Sequence, residues 1–309
     1  MKAVFVTGAA GFVGRHTCRW LSGHGFRVLE SRRADLPLDS ASPAELDRAL
    51  EGVNAVVHLA ARVHVMRDAA RDPIAEYRRI NTAATARLAE AAARQGVERF
   101  VFLSTVKVNG ERTPERPFRD EDAPAPVDSY GLSKWEAEQE LGRIGARTGL
   151  RIAVLRPPLV YGPGVKGNFL RLLRLVRAGV PLPLASIANA RSMIYVGNLA
   201  SAVERALRAE APALGTFLVS DDADLSTPQL VRSIGAAMGR PARLFPLSPR
   251  LLATLGRALG KADEVARMIE SLRVDCSGIK QRLQWSIPFT VEHGLKETAD
   301  WFARARSAA

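Results

Sequence analysis

A tyrosine and a lysine four residues apart, Tyr130 and Lys134, are the side chains in this sequence best suited to proton transfer. Residues at this spacing share one face of a helix. A free tyrosine has a pKa of about 10, and a neighbouring ammonium favours the phenolate, so we expect Lys134 to lower the pKa of Tyr130. Two hydroxyls, Ser104 and Thr105, follow an apolar strand-like run and should face the same crevice. Alone, the Tyr-Lys spacing fits an ordinary amphipathic helix; with these hydroxyls it predicts acid–base chemistry at a carbonyl or hydroxyl.

A glycine-rich loop reads TGAAGFVG at 7–14, directly after the first apolar run and before a helical pattern. Gly8 allows a tight turn, Gly11 lets the backbone approach a pyrophosphate, and Gly14 permits close packing of helix on strand. The helix N-terminus adds free N–H groups and a positive dipole. A turn that merely needs flexibility is the alternative. The loop predicts a dinucleotide site, with contacts expected from Gly8, Gly11, Phe12, Val13 and Gly14.

The end of the second apolar run should select the dinucleotide. An acidic side chain there accepts a hydrogen bond from the ribose 2′-OH of NAD, whereas arginine accommodates the 2′-phosphate of NADP. Arg32 and Arg33 occupy this place, with Ser31 beside them as a donor. We therefore expect NADP(H). The alternative is that both arginines are solvated and that Glu30 holds the ribose of NAD(H).

Apolar runs rich in Val, Ile and Phe alternate with helical patterns through the first half of the chain. This alternation is typical of parallel strands covered on both faces, and it predicts an α/β protein with a doubly wound sheet. After Pro157 the pattern becomes mainly helical, which predicts a smaller lobe for the substrate. The expected strands are 2–7, 26–30, 55–59, 100–103, 152–155 and, later, 192–196, and the expected helices of the first half are 12–22, 73–94 and 128–148.

The composition excludes several classes of protein. The 309 residues are 25% charged and 47% hydrophobic, which is globular rather than disordered or fibrous. No run approaches the roughly 18 to 20 apolar residues that span a bilayer, and no secretory signal is recognised. Cys18 and Cys276 suit neither a disulfide framework nor a metal site, so a cytoplasmic protein without metal is expected. The net charge of +12 is spread along the chain, which favours anionic nucleotide ligands over nucleic acid.

Six motifs in a fixed order resemble those of extended short-chain dehydrogenase/reductases, within the branch that acts on nucleotide sugars. They are TGAAGFVG at 7–14, HLAA at 58–61, NTAAT at 81–85, LSTVKVNG at 103–110, YGLSK at 130–134 and RPPLVYGPG at 156–164. The resemblance implies a Rossmann fold over 1–164, with 196–220 returning to it, and a substrate lobe of 165–195 and 221–309. It also implies a UDP-sugar as the small-molecule partner and a homodimer formed through the helices that begin near Pro73 and Asp128.

The resemblance assigns roles to individual residues. Thr105, which lies 25 residues before Tyr130, matches the catalytic hydroxyl. Tyr130 matches the acid/base, and Lys134 matches the lysine that also binds the nicotinamide ribose. Asn81 matches an asparagine that supports the structure or the cofactor. The remaining cofactor contacts that it implies are Leu59, Ala60, Ala61, Ser104, Pro157 and Val160.

The reaction is expected to be a ketoreduction. Sugar 4,6-dehydratases of the family resemble one another in an Asp-Glu pair after the catalytic threonine, where this chain has Val106 and Lys107. Epimerases usually carry an asparagine where this chain has Pro157-Pro158-Leu159. The resemblance therefore favours an NADP(H)-dependent 4-ketoreductase that forms UDP-N-acetylquinovosamine for surface polysaccharide. Two alternatives stay open, a UDP-hexose or UDP-N-acetylhexosamine 4-epimerase with bound NAD and a sensor without turnover.

Substrate contacts are expected in the lobe. Asn168 resembles the asparagine of a turn that holds the diphosphate, and Arg191 resembles an arginine that reaches the same phosphates. Backbone at Leu182 and Leu184 resembles a short strand that contacts uracil. Lys107 is expected to point its charge at the sugar or phosphate; the alternative is an ion pair with an acid of 120–122. Arg273 is only a weak substitute for a further phosphate-binding motif that the chain lacks.

Overall fold

The computed structural model describes residues 2–63, 72–210 and 215–307. Within these residues the strands form a six-stranded parallel sheet in the order β2-β1-β3-β4-β5-β8 and a parallel pair, β6-β7. The strands are β1 (Ala3–Thr7), β2 (Arg27–Ser31), β3 (Ala55–His58), β4 (Arg99–Leu103), β5 (Arg151–Arg156), β6 (Leu159–Tyr161), β7 (Met193–Tyr195) and β8 (Thr216–Leu218). The predicted doubly wound parallel sheet is confirmed.

Helices cover both faces of the large sheet and build the C-terminal lobe. The helices of the first half are α1 (Phe12–Gly23), α2 (Pro43–Ala49), α3 (Pro73–Tyr77), α4 (Ala84–Arg94) and α5 (Ser129–Thr148). Those of the second half are α6 (Gly167–Arg177), α7 (Val196–Arg208), α8 (Thr227–Ala237), α9 (Pro249–Ala258), α10 (Ala262–Ile269), α11 (Ser277–Arg282) and α12 (Val291–Ser307).

The strand order places a crevice at one edge of the sheet. β1 pairs with β2 on one side and with β3 on the other, so the direction of chain progression reverses between β1 and β3. Loops that leave the carboxyl ends of these two strands turn to opposite faces and open a space between them. The glycine loop leaves β1 at this point, and the loops after β4 and β5 border the same space.

Three large apolar cores hold the molecule together, and a smaller fourth cluster lies around Leu218 and Val274. One packs α1 and α7 on the first face of the sheet, around Leu21 and Leu199. The second packs α2, α4 and α5 on the opposite face, around Leu88 and Leu141. The third lies in the C-terminal lobe, where Phe169 and other side chains from α6, α8, α9, α10 and α12 meet. The molecule therefore consists of a three-layer body and a helical lobe with a core of its own.

One expected helix is divided. The predicted helix over 73–94 consists of α3, a π-helical turn at Arg78–Ala83, and α4. The turn places Asn81 so that its side chain accepts from the Arg62 N–H at 2.7 Å and donates to the Ser133 hydroxyl at 3.0 Å. This widened turn ties the chain after β3 to α5, and such turns concentrate at functional sites. Hydrophobic spacing does not distinguish it from a regular helix.

Candidate dinucleotide and substrate site

A cleft of about 620 Å³ lies over the carboxyl ends of β1 and β3. All five predicted residues of the glycine loop line it, as do Arg32, Arg33, Thr105 and Tyr130. Further predicted residues along its walls are Leu59, Ala60, Ala61, Ser104, Pro157 and Val160. The cleft also contains residues that sequence reasoning did not select, among them Asp39 and Lys166.

The glycine loop fits a pyrophosphate. Gly8 has φ of +69°, and a Cβ there would come within 2.8 Å of the Ala60 nitrogen, so the turn against β3 requires glycine. The N-cap of α1 is Gly11, which brings no side chain to occupy the free N–H groups of the first turn, and no acidic residue lies in that turn. These N–H groups therefore stay available to an anion in the cleft.

Gly14→Ala should disrupt the loop. A Cβ on Gly14 would lie 2.1 Å from the Gly8 carbonyl oxygen, which is backbone and cannot turn aside. We expect a loss of about 1–3 kcal/mol in the free energy of unfolding, and dinucleotide binding weakened at least tenfold as the loop shifts. Gly23→Ala, at the other end of α1, is the control because nothing lies within 4 Å of its Cβ. Denaturant unfolding and nucleotide titration of both variants check this, and equal binding by the two would contradict it.

Carboxylates already pair with the two arginines expected to select NADP. Arg33 contacts Asp39 at 3.0 Å, and Arg32 approaches Glu30 at 3.7 Å. Asp39 also pairs with Arg79. Although burial works to raise it, the hydrogen bond from Arg79 and the charge of Arg33 hold the pKa of Asp39 below its usual range. An ionised carboxylate thus stands beside the arginines in the cleft, which a search of the strand end alone did not reveal.

The three catalytic candidates meet at one wall of the cleft. Thr105 follows β4, caps the short 3₁₀ turn Val106–Val108 and is 8% exposed. Tyr130 lies in the first turn of α5 and lines the cleft, while Lys134 is buried one turn further on, with its Nζ 4.0 Å from the centre of the Phe102 ring.

The ionisation of this pair differs from the sequence-based expectation. Burial, reinforced by the charges of Asp128 and Tyr77, raises the pKa of Tyr130 rather than lowering it. Burial also lowers the pKa of Lys134 to about 7, against the opposing charge of Glu138. The protein without ligand therefore holds a neutral phenol next to an amine that titrates near neutral pH. Desolvation outweighs the pairwise attraction on which the sequence argument relied.

A buried ion pair supports this wall from behind. Arg156 at the end of β5 donates to Glu138 through Nε at 3.0 Å and through a second nitrogen at 2.5 Å. Ser104 donates its hydroxyl to the same carboxylate, so this hydroxyl is engaged within the protein. The side chains of Arg156 and Glu138 are each 4% exposed. Sequence reasoning missed the pair, although Glu138 lies four residues after Lys134, where one helix face continues.

A buried series of hydrogen bonds links the carboxyl ends of β1 and β3. His58 is hydrogen-bonded to the Thr7 hydroxyl at 2.6 Å and to the Thr85 hydroxyl at 2.8 Å. Burial lowers the pKa of His58 to about 3, with a smaller effect from Lys134, so the imidazole is neutral. Thr7 also accepts from the Ala60 N–H at 3.2 Å. These hydrogen bonds join the start of the glycine loop to the segment 59–61, which lines the cleft.

Lys107 does not carry a free charge into the cleft. Its Nζ lies 2.7 Å from a Glu111 oxygen and 2.5 Å from an Asp128 oxygen, and neither partner belongs to the acidic group at 120–122. Asp128 is the N-cap of α5 and accepts from the Gly131 N–H at 2.6 Å. Burial acts to lower the pKa of Lys107, but these two carboxylates raise it. Lys107 thus anchors the helix start that presents Tyr130.

The predicted substrate residues are distributed over the lobe. Arg191 lies in a backbone bridge to Leu225 and donates to the Glu270 carbonyl at 3.0 Å. Burial, and then the nearby positive charge of Arg267, lower the pKa of Arg191. The charges of Glu270 and Glu111 act on this pKa in the opposite direction. Arg267 was not selected from the sequence, because its proximity to Arg191 depends on the return of α10.

The other predicted substrate residues are either exposed or already engaged within the protein. Asn168 lies exposed in the first turn of α6. Leu184 is buried in the lobe core, and the backbone of Leu182 already exchanges hydrogen bonds with Arg243 and Phe245. The segment 182–184 therefore has fewer free backbone groups for a base than a simple edge strand would offer. Arg273 donates to the Glu115 carbonyl at 2.8 Å.

The described residues contain neither a metal-binding cluster of acidic, His or Cys side chains nor a membrane-spanning helix. Among residues 2–63, 72–210 and 215–307, no group of three or more His, Cys, Asp or Glu side chains is arranged to hold a metal ion. Within the same portion of the chain, no helix combines the length and the apolar character needed to cross a membrane.

A doubly wound sheet with a glycine loop at its switch point and a Tyr/Lys/Thr set beside it defines a class of dinucleotide-dependent enzymes. Comparison narrows the class. The model of the NAD dependent epimerase/dehydratase family matches residues 4–219, and the chain belongs to this family.

Individual relatives agree with this assignment. The chain is 38% identical to a UDP-glucose 4-epimerase of Vibrio cholerae, over 99% of this chain and 97% of that protein. It is 27% identical to the N-acetyl-α-D-glucosaminyl-diphospho-ditrans,octacis-undecaprenol 4-epimerase of Escherichia coli O157:H7, over 96% and 94% of the two chains. Among solved structures, MoeE5 in complex with UDP-glucuronic acid and NAD aligns with a TM-score of 0.78 at 26% identity, covering 98% of this chain and 99% of that one.

Proposed function

We propose that this protein is a UDP-sugar 4-epimerase that keeps one NAD through each catalytic cycle. The observation that carries the proposal is the pairing of Arg33 with Asp39 and of Arg32 with Glu30 at the cofactor end of the cleft. A carboxylate held there accepts from a ribose hydroxyl and repels a 2′-phosphate. The cofactor is therefore NAD in this proposal, which replaces the NADP(H) expected from the arginines alone. The 4-epimerase relatives support the same choice.

The chemistry required of the protein is a proton removed from the sugar C4 hydroxyl and then returned to the same oxygen. When bound, NAD would accept one hydride from C4 and give it back on the other face, so the reaction is a net isomerisation. In this proposal Tyr130 would exchange the proton, and Thr105 would hold the oxygen. Lys134, which titrates near neutral pH, would share the proton with Tyr130 and bind the nicotinamide ribose.

The binding surfaces divide along the chain as the domains do. Residues 1–164 with 196–220 would hold the dinucleotide, and the lobe of 165–195 and 221–309 would hold the UDP-sugar. Arg191 and Arg267 supply positive charge for the diphosphate. We also retain the homodimer through the helices that begin near Pro73 and Asp128 as a proposal.

Two measurements on the purified protein test the function. Denaturation should release about one equivalent of NAD per chain, and UDP-glucose or UDP-N-acetylglucosamine should be converted to its C4 epimer. The absorbance of reduced nicotinamide should show no net change during turnover. Net oxidation of added NADPH by a UDP-4-keto-6-deoxy-hexosamine, without epimer formation, would overturn the proposal.

That last outcome defines the second candidate, the NADP(H)-dependent 4-ketoreductase that forms UDP-N-acetylquinovosamine for surface polysaccharide. The observation in its favour is the pair of arginines that line the cleft at the end of β2. The loop after β5 also carries Pro157 and Pro158, which line the cleft, in place of an amide side chain.

Asp39→Ala should shift the cofactor preference. Removing this carboxylate frees Arg33 for a 2′-phosphate and removes an acceptor for the ribose, so the ratio of NADP to NAD affinity should rise about tenfold. Fluorescence titration with both nucleotides measures the ratio. Asp47→Ala is the control, because Asp47 pairs with Arg94 on the outer face at 2.7 Å. A ratio unchanged in Asp39→Ala would show that Asp39 takes no part in cofactor selection.

A further inference from the structure

Helix α9 presents apolar side chains that the protein does not cover. The exposed fractions of Leu251, Leu255 and Leu259 are 49%, 46% and 71%, and Phe245 just before the helix is 43% exposed. The three leucines are spaced by four, so they form one stripe along α9 and its C-terminal end. Leu252 and Gly256, which lie beside the stripe on the same helix, are the residues of α9 that are buried. The apolar sector of α9 is thus wider than the part that packs.

Basic residues flank this stripe along the sequence, and the first acidic residues after it, Asp263 and Glu264, open α10. Residues 225–262 contain six basic side chains and no Asp or Glu. All six are exposed, and no ion pair joins any of them to another residue in the described ranges. They are Arg232, Arg240, Arg243, Arg250, Arg257 and Lys261. The charge of the chain is dispersed over its whole length but is of one sign within 225–262, and Asp263 and Glu264 of α10 oppose it at the end of this stretch.

We propose that α9 and its flanks form a surface that docks on an anionic phospholipid bilayer. A short helix with a leucine stripe and basic flanks lies in the plane of a membrane interface, with its apolar residues below the headgroups and its cations near the phosphates. The arrangement matches no spanning segment, because α9 has only 10 residues. A protein partner would need acidic side chains around an apolar groove, whereas an anionic bilayer supplies both the negative phosphates and the apolar interior.

The neighbouring elements connect this surface to the substrate lobe. α9 leads through Gly260 and Lys261 into α10, which carries Arg267. The strand-like segment before α9 forms a bridge from Leu244 to Leu182. Docking through α9 would therefore hold the lobe at the membrane surface, and none of the residues that line the cleft belongs to α9. The proposal does not depend on which reaction the site performs.

Vesicle sedimentation tests the surface with the full-length protein. Wild type should sediment with vesicles of equal parts phosphatidylcholine and phosphatidylglycerol, and not with phosphatidylcholine alone, and high salt should release it. The triple variant Leu251→Ser, Leu255→Ser, Leu259→Ser should lose at least about tenfold in vesicle affinity. Val127→Ser, which alters an exposed apolar residue at 69% exposure outside the lobe, should bind as wild type does.

A second variant keeps the test decisive if the serine variant misfolds. Arg250→Glu, Arg257→Glu, Lys261→Glu alters only exposed charges and should also abolish sedimentation with anionic vesicles. Three results would overturn the proposal: no sedimentation of wild type, equal sedimentation with neutral vesicles, or a soluble oligomer that the leucine variant dissociates. The last result would show that a second copy of this chain covers the stripe.

Discussion

Tyr130→Phe should lower kcat by about 10³-fold and leave NAD bound. Tyr130 lines the cleft with a phenol that carries an exchangeable proton, and Lys134, one helical turn further on, has a pKa that burial lowers to about 7. Phenylalanine keeps the ring and its edge-to-face contact with the Tyr77 ring, whose centroid lies 6.3 Å from that of residue 130, so the wall keeps its shape. Single-turnover and steady-state rates of epimer formation, with the NAD content of the purified variant, measure the two parts of this prediction.

Tyr77→Phe is the matched control for this substitution. Tyr77 is 5% exposed and donates its hydroxyl to the Val63 carbonyl at 3.3 Å, so its change removes a neighbouring phenol that is not among the residues lining the cleft. We expect its kcat to stay within about threefold of wild type, since it holds no proton for the substrate. Similar losses in the two variants would show that packing, and not proton transfer, sets the rate.

The sequence predicted the parts of the site that depend on local pattern. The three glycines, the Tyr-Lys spacing and the strand-end Thr105 are each fixed by neighbours within one strand–loop–helix unit. Period and spacing therefore located them, and the parallel sheet that brings them together is confirmed. The ligand roles of these residues stay predictions.

Long-range partners decided what could not be predicted. Arg33 lies only six positions before Asp39, but that carboxylate also pairs with Arg79, which is 40 positions further on. Lys107 meets Asp128, and Arg191 lies near Arg267, only after the chain has folded back. In each case the sequence showed a cation whose charge appeared free for a ligand. Arg33 and Lys107 form ion pairs within the protein, and Arg191 has a second cation, Arg267, close to it. Electrostatic function thus depends on the tertiary neighbours of a charge more than on its place in a motif.

Arg156→Met should destabilise the protein by about 3–5 kcal/mol, because it leaves the Glu138 carboxylate buried without its ionic partner. Methionine keeps an unbranched apolar stem, so the loss should come from the charge and not from a cavity. Glu138 would retain only the hydrogen bond from Ser104. Denaturant unfolding at neutral pH measures the change. Arg78→Met is the control, because its partner Glu136, at 2.6 Å, lies at the surface and such pairs contribute about 0–1 kcal/mol.

A second variant separates a buried charge from lost packing. The double variant Arg156→Met with Glu138→Leu removes both charges and should recover most of the stability that Arg156→Met loses. It should still turn over slowly, since Lys134 loses the carboxylate that opposes the fall of its pKa, and Ser104 loses its acceptor. A deficit that persists undiminished in the double variant would assign Arg156 a packing role and remove the electrostatic link between the ion pair and the catalytic wall.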